Sequence, residues 1–383
     1  MIRFLTAGES HGPGLVTIVE GLPAGLELSV DGLQAELARR RAGHGRGRRM
    51  ALERDDLEVL GGVRFGRTLG GPVAVLVRNT EWPEWEQEMS PFPGETERPL
   101  TVPRPGHADL AGMLKYDTRD ARDVLERASA RETAARTVAG YLAGQLLATI
   151  GATVLSHVVA IGEVAAPDGS RPRPEDAAAI DASPVRALDP AASEAMVAAI
   201  DRAHQDRDSL GGSVEVLAYG VPAGVGSHVH WDRRLDALLT GALMSIQGIK
   251  AVEVGDGLAV AGWRGSRAHD EIVPGPDGAV RETDRAGGIE GGMSIGQPIR
   301  LRAAMKPLST LMRPLRTVDV TTGEPDVAFR ERTDTCAVPA AGVVAEQMVA
   351  LVLAAELQRM FGGDTVADFV RAAEAYRERL AGF

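Results

Sequence analysis

One segment near the C-terminus constrains the fold more than any other. VPAAGVVAEQMVALVLAAELQRMFGG, residues 338–363, is apolar almost all round. A surface helix shows a single apolar stripe, so a helix without a polar face belongs at the centre of a core. Its most apolar part, Met348–Leu357, is too short to span a bilayer and follows Glu346 and Gln347. A chain of 383 residues can bury such a helix, either as two domains or as one large α/β unit.

The rest of the pattern favours one compact α/β unit over residues 1–383, since it holds no fixed-period repeat and no clean linker. Ser29 and Asp31 are helix-start residues, and Leu33 and Leu37 recur at helical spacing, which predicts a helix over Val30–Arg41. Gly43, Gly45 and Gly47 end it and leave the later arginines in a loop. GPVAVLVRN (Gly71–Asn79) is rich in β-branched residues and predicts a strand. The proline-dense stretch that begins at Glu81 predicts a long loop ending at His107. An apolar stripe of Val124, Ala128, Ala135, Val138, Leu142, Leu146 and Ile150 predicts one helix over Asp120–Ile150. Further strands are predicted at 154–164 and 211–224, a surface excursion at 166–184 and a helix at 232–246.

The net charge of −11 repels nucleic acid and anionic membranes, and 4% aromatic residues leave few platforms for stacking single-stranded bases. Cys336 is the sole cysteine, so no intrachain disulfide forms. MIRFLTAGESHGPG lacks the basic-then-apolar pattern of a signal peptide. The expectation is a soluble, cytoplasmic protein without nucleic-acid or membrane partners.

Against this acidity, RRRAGHGRGRRM (Arg39–Met50) concentrates guanidinium groups. Part of that run, Arg39–Arg41, lies at a helix C-terminus, where cations favour the macrodipole. Other glycine-rich or polar segments also carry chemistry: AGESHGPG at 7–14, RPGHAD at 104–109, ERASARET at 126–133, AGGIEGGMSIGQP at 286–298, KPLST at 306–310 and RTDTCAVP at 332–339. None is a Walker A loop, and no G-x-G-x-x-G lies between a strand and a helix, which argues against a nucleotide kinase or a Rossmann dehydrogenase.

Arg40, Arg46, Arg49, Arg104, Arg131 and Arg332 supply planar forks for carboxylate and phosphate. Lys306, Ser309 and Thr310 add an ammonium and hydroxyls, while glycine turns let backbone N–H groups approach an anion. His11 and His107 exchange protons near neutral pH. The inventory suits a small polyanion that undergoes proton transfer. Two rivals use other residues: a metal-dependent hydrolase on His228, His230 and Asp232, and an RNA-binding arm at Arg39–Arg49. The SHVHW histidine pair of the first is only two ligands and depends on a carboxylate such as Asp232 to make a third, and the second conflicts with the net charge and the low aromatic content.

Taken together and in order, GESHG, RASARET, SHVHWDRRLDALL, AGGIEGGMS, KPLST and RTDTCAVPAAGVVAE make the chain closely resemble the chorismate synthase family over nearly its whole length. The resemblance implies an α+β fold, a β-α-β sandwich with helices layered between antiparallel sheets, and a homotetramer. It implies a carbon–oxygen lyase that converts 5-enolpyruvylshikimate 3-phosphate to chorismate and phosphate, the last step of the shikimate pathway. It also implies a need for reduced FMN without net redox change. Some members reduce that flavin with NADPH, and others depend on an external flavin reductase. The absence of long insertions leans towards the second type.

By the same resemblance, His11 protonates the departing phosphate, with Ser10 beside it, and His107 acts near flavin N1. Asp334 is the carboxylate near flavin N5. The arginines named above match anion-binding positions. Arg127, Ala128, Ser129, Gln247, Gly248, Gly291, Lys306, Pro307, Leu308, Ser309, Thr310 and Arg332 match flavin contacts. The chain departs from the usual family pattern at His44 (commonly tyrosine), Gly248, Thr333 and Ile295, none of which alters His11, His107 or Asp334.

Overall fold

The computed structural model describes residues 2–47, 55–275, 278–329, 331 and 333–382. Strands β1 (Arg3–Ala7), β2 (Gly14–Glu20), β3 (Leu57–Gly61) and β4 (Val73–Arg78) form an antiparallel sheet in the order β1-β2-β4-β3. A second antiparallel sheet runs β8-β9-β7-β5-β6, from β5 (Thr153–Ile161), β6 (Val164–Ala165), β7 (Gly212–Tyr219), β8 (Ile249–Val254) and β9 (Ile299–Met305). The helices that matter most lie between the sheets.

In chain order the principal helices are α1 (Val30–Arg41), α2 (Asp109–Tyr116), α3 (Arg122–Ala128) and α4 (Thr133–Ala148). After β6 come α5 (Ala177–Ala182) and α6 (Pro190–Gln205), then α7 (Leu235–Met244), α8 (Val338–Phe361) and α9 (Val366–Ala381). Helix α4 packs on β1, β2 and β4, α8 packs on β5 and β7, and the two helices pack on each other. The layers are therefore sheet, helices, sheet, as the resemblance implies.

Helix α8 is the apolar segment, and it sits where its composition demands. It is long and apolar enough to cross a membrane, yet 89% of its most apolar window is buried inside the protein. Val343, Val349, Leu353 and Leu357 are fully covered. Each such side chain contributes about 1.5–3 kcal/mol of burial energy. The crossing with α4 is tight, because a Cβ on Gly140 would lie 2.2 Å from the Cβ of Gln347.

The charge within α8 is accommodated by a buried network. Glu346 accepts hydrogen bonds from the N–H and Oγ of Ser156, each at 2.8 Å, and from Arg186 at 2.7 Å. Arg39, from the last turn of α1, reaches it at 2.9 Å and also pairs with Glu36 and Asp181. Burial disfavours the Arg39 charge, but the carboxylates of Glu346 and Glu36 outweigh that cost and raise its pKa. A macrodipole preference is thus only part of what holds Arg39; Arg41 meanwhile lies 3.3 Å from Asp55.

The helix at Val30–Arg41 has the expected boundaries, with the Ser29 Oγ accepting the Gly32 N–H at its start. The helix expected over Asp120–Ile150 is instead two, α3 and α4, separated by extended backbone at Ser129 and a short 3₁₀ turn at Ala130–Glu132. The strand expected at 154–164 is divided between β5 and β6 at Gly162. The long loop contains one helical turn, Trp82–Trp85, and the excursion at 166–184 contains α5.

Candidate active site

The interruption at Ser129 faces a cavity of about 410 Å³. Ala128, Ser129, Ala130 and Arg131 form part of its wall, so the residues that break the helix are those turned towards the cavity. The N-terminal turns of α4 and α8 supply Thr133, Ala337, Ala340 and Ala341. Helix N-termini carry partial positive charge and favour anions.

Four arginines join them. Arg40 is buried and donates to Thr133 Oγ1 at 3.4 Å. Arg131 is held by Asp55 at 2.5 Å and by Asn79 at 3.1 and 3.2 Å. Arg46 pairs with Asp334 at 2.6 Å, and the Gly47 N–H donates to the same carboxylate at 2.6 Å. Arg104 donates to Asp109 at 2.8 Å and to Thr310 at 2.9 Å. Asp334 is thereby fixed at the cavity wall by the arginine loop.

Both expected histidines line the cavity, and each rests on a carboxylate. His11 Nδ1 lies 2.9 Å from both oxygens of Glu126. His107 Nδ1 bonds Asp109, which is fully buried. The chain reaches His11 through Gly8, whose positive φ of 101° and 2.1 Å approach of any Cβ to the Gly14 carbonyl oxygen admit only glycine. Burial raises the pKa of Asp109, but hydrogen bonds from His107 and Arg104 and the Arg104 charge bring it down from 3.8 to about 2. Its contribution to stability is complete above pH 3.8 and is lost as pH falls towards about 2. Urea unfolding across that interval is expected to show stability falling with acid, and Asp109→Asn to flatten the slope; equal slopes would contradict it.

Gln247, Gly248, Lys306, Pro307, Leu308, Ser309 and Thr310 also line the cavity, as does Ser10 next to His11. Gln247 donates to Glu132 at 3.0 Å, and Lys306 reaches the Gly106 carbonyl. Two expected residues lie elsewhere. Arg127 turns to β1, donating to the carbonyls of Gly8 at 3.1 Å and Thr6 at 2.8 Å. It lines a separate hollow with Glu132 and Arg136. Gly291 sits in the turn between Ile289–Glu290 and Met293–Ser294, outside the cavity wall. Arg49 and Arg332 lie outside the described residues.

Sequence reasoning assigned nothing to Glu126, Asp109 or Trp85, whose indole stacks on His11 at 4.0 Å between centroids. Glu126 and Asp109 were visible within ERASARET and RPGHAD, each a carboxylate beside a chemistry-bearing segment. His44, the departure closest to the clamp, turns its Nε2 to Asp201 at 2.6 Å and is not part of the cavity wall. His228 and His230 lie in the segment leading to α7, and among the described residues no group of three His, Cys, Asp or Glu is placed to hold a metal.

Residues 2–357 match the chorismate synthase family. The chain is 60% identical to the chorismate synthase of Acidothermus cellulolyticus over 389 aligned positions, covering 99% of both chains. It is 61% identical to that of Parafrankia sp. over 393 positions, covering all of both. Among solved structures, a chorismate synthase crystal structure superposes with a TM-score of 0.81 at 38% identity, covering 100% of this chain and 99% of the other.

Proposed function

The chain belongs to the chorismate synthase family, and on that premise we propose how its residues divide the family's reaction. The reaction is the last step of the shikimate pathway, a lyase step in which 5-enolpyruvylshikimate 3-phosphate loses phosphate and a ring hydrogen to give chorismate. The observation that carries the assignment of roles is one cavity lined by Arg40, Arg46, Arg104 and Arg131 with two carboxylate-held histidines. The substrate bears two carboxylates and a phosphate, so guanidinium forks and two helix N-termini match its charge. The hydrogen lost at ring carbon 6 is not next to a carbonyl and has little acidity of its own.

The residues present fit a flavin. Ala128, Leu308, Ile246 and Gly248 offer an apolar wall for a ring system, and Ser129, Lys306, Ser309 and Thr310 offer donors to a phosphate tail. Among the described residues, the buried Gln247 Oε1 has no hydrogen-bond partner, leaving an acceptor for a ring N–H. Reduced FMN, when bound, supplies electron density that assists departure of phosphate. His11 holds a proton for the departing group, His107 holds one at the cavity wall, and Asp334 presents a carboxylate able to take one. We place flavin reduction outside the chain, with NADPH acting through a separate reductase. Titrating oxidised FMN into the protein with substrate present, followed by flavin absorbance, is expected to show saturable binding that weakens in Lys306→Met. An unperturbed spectrum throughout would count against this cofactor site.

Arg46→Lys is expected to weaken substrate binding roughly tenfold, because an ammonium cannot make the planar two-point contact. Calorimetric titration with substrate checks it, and unchanged affinity would remove Arg46 from the clamp.

A homotetramer is proposed on a separate observation. Leu5 and Ile18 face each other across β1 and β2 and are exposed, as is Leu60 on β3, making an apolar outer face on the first sheet. Another copy of the chain would cover it. Residues 1–383 are proposed to act as one catalytic unit, since one buried cluster draws on both sheets and on α1, α4, α8 and α9. A cytoplasmic location follows from a multiply charged substrate that does not cross a bilayer unaided.

A further inference from the structure

His11 is restrained more closely than a histidine in a glycine turn needs to be. Both oxygens of Glu126 lie 2.9 Å from its Nδ1, and its backbone N–H donates to Glu126 Oε2 at 2.9 Å. The Ser10 N–H donates to the Glu126 backbone carbonyl at 3.0 Å. The indole of Trp85 stacks on the imidazole with the planes 25° apart. Arg122 lies over that indole at 4.9 Å and pairs with Glu126 at 2.8 Å. Thus the loop after β1, the turn at Trp82–Trp85 and α3 all converge on one ring.

An ionised carboxylate only accepts hydrogen bonds, so the His11 nitrogen that faces Glu126 must carry hydrogen. Glu126 stays ionised: burial raises its pKa, but the hydrogen bonds and charge of His11, with Arg122, bring it below the usual range. With hydrogen held on Nδ1, proton exchange with a ligand falls to the other ring nitrogen, Nε2.

We propose that Glu126 is the positioning residue for His11, fixing hydrogen on Nδ1 and stabilising the imidazolium that gives its Nε2 proton to the departing phosphate. This rests on the reading of His11 given above. When the carbon–oxygen bond breaks, its electron pair stays on the phosphate oxygen. The Nε2 proton neutralises that oxygen, leaving neutral imidazole with Nδ1–H still held by Glu126. Trp85 keeps the ring from rotating out of this alignment. A carboxamide in place of Glu126 can donate to Nδ1 and favour the opposite tautomer, whose Nε2–H is a poor acid.

The test combines kinetics with a signal that does not depend on turnover. Glu126→Gln is expected to lower kcat by about 10²-fold or more, with KM changed by less than about threefold. Glu126→Asp, which keeps the charge, is expected to recover at least about tenfold of that loss. In the His11→Ala background, Glu126→Gln is expected to add less than about a twofold further loss, since both remove one function. A full additional loss in that background, or equal damage from the aspartate and glutamine variants, would overturn the proposal. In full-length protein labelled with ¹⁵N-histidine, the His11 resonance, identified by its absence in His11→Ala, is expected to report a protonated Nδ1 that shifts towards Nε2–H in Glu126→Gln. A wild-type His11 bearing hydrogen on Nε2 alone would overturn the proposal even if Glu126→Gln does not fold. Wild-type protein that lacks turnover but shows protonated Nδ1 would sink the reading of the reaction while upholding the Glu126–His11 pairing.

Discussion

Replacing His11 or His107 by alanine is expected to lower turnover about 10²-fold or more in each case, the scale of a lost proton-transfer group. The expectation follows from how the two rings are held. Each has Nδ1 committed to a buried carboxylate, Glu126 for His11 and Asp109 for His107, and each lines the same cavity. A histidine that only completed a turn would need neither. The measurement is kcat at saturating substrate and flavin, on variants whose circular dichroism matches the parent. A near-parental rate in a well-folded variant would remove that histidine from the chemistry.

The second large effect concerns stability. Glu346→Ala is expected to destabilise the fold by about 3–5 kcal/mol, because removing one member of a buried ion network leaves its partners only partly compensated, with Arg186 retaining its ion pair with Asp181. Arg186 would lose a 2.7 Å bond, and the buried N–H and hydroxyl of Ser156 would lose their shared acceptor. Arg39 retains Glu36 and Asp181, which sets the estimate below a full double loss. Urea unfolding checks it. A change below about 1 kcal/mol would mean that the remaining carboxylates or water re-pair the arginines without cost.

What was legible in the sequence follows the range of the forces involved. α1 was readable to its ends, because its cap is local: Ser29 satisfies Gly32, and the glycines after it stop the helix. Helix α8 was readable because an all-round apolar surface leaves one place for it. The break at Ser129 was not, since Arg122–Ala148 is written in good helix formers. The interruption is sustained by distant partners instead: Ser129 donates to Ser10 at 3.3 Å, and Arg131 is drawn to Asp55 and Asn79.

The site shows the same division. The histidines and arginines stood out by type and by neighbouring glycines, and the motif order tied them together. Glu126 and Trp85 did not, because a carboxylate on a helix and a tryptophan in a proline-rich loop have ordinary solvated or packing roles. The pair that Glu126 makes with Arg122 is a local one, four residues away, but the contact that gives it its place at the site, with His11, crosses more than a hundred residues. Likewise the arginine run reads as one basic patch, yet the fold sends Arg39 to the core network, Arg40 and Arg46 to the cavity and Arg41 to Asp55.

The assigned reaction is decided by an anaerobic assay in which purified protein, 5-enolpyruvylshikimate 3-phosphate and pre-reduced FMN are mixed and chorismate and phosphate are followed together. The same assay is run with oxidised FMN and NADPH. Equimolar chorismate and phosphate are expected with pre-reduced flavin, and neither product with oxidised flavin and NADPH unless a reductase is added. Product in both arms would place a flavin reductase within this chain. No chorismate in either arm, from protein that is folded and binds FMN, would rule out this reaction for the chain.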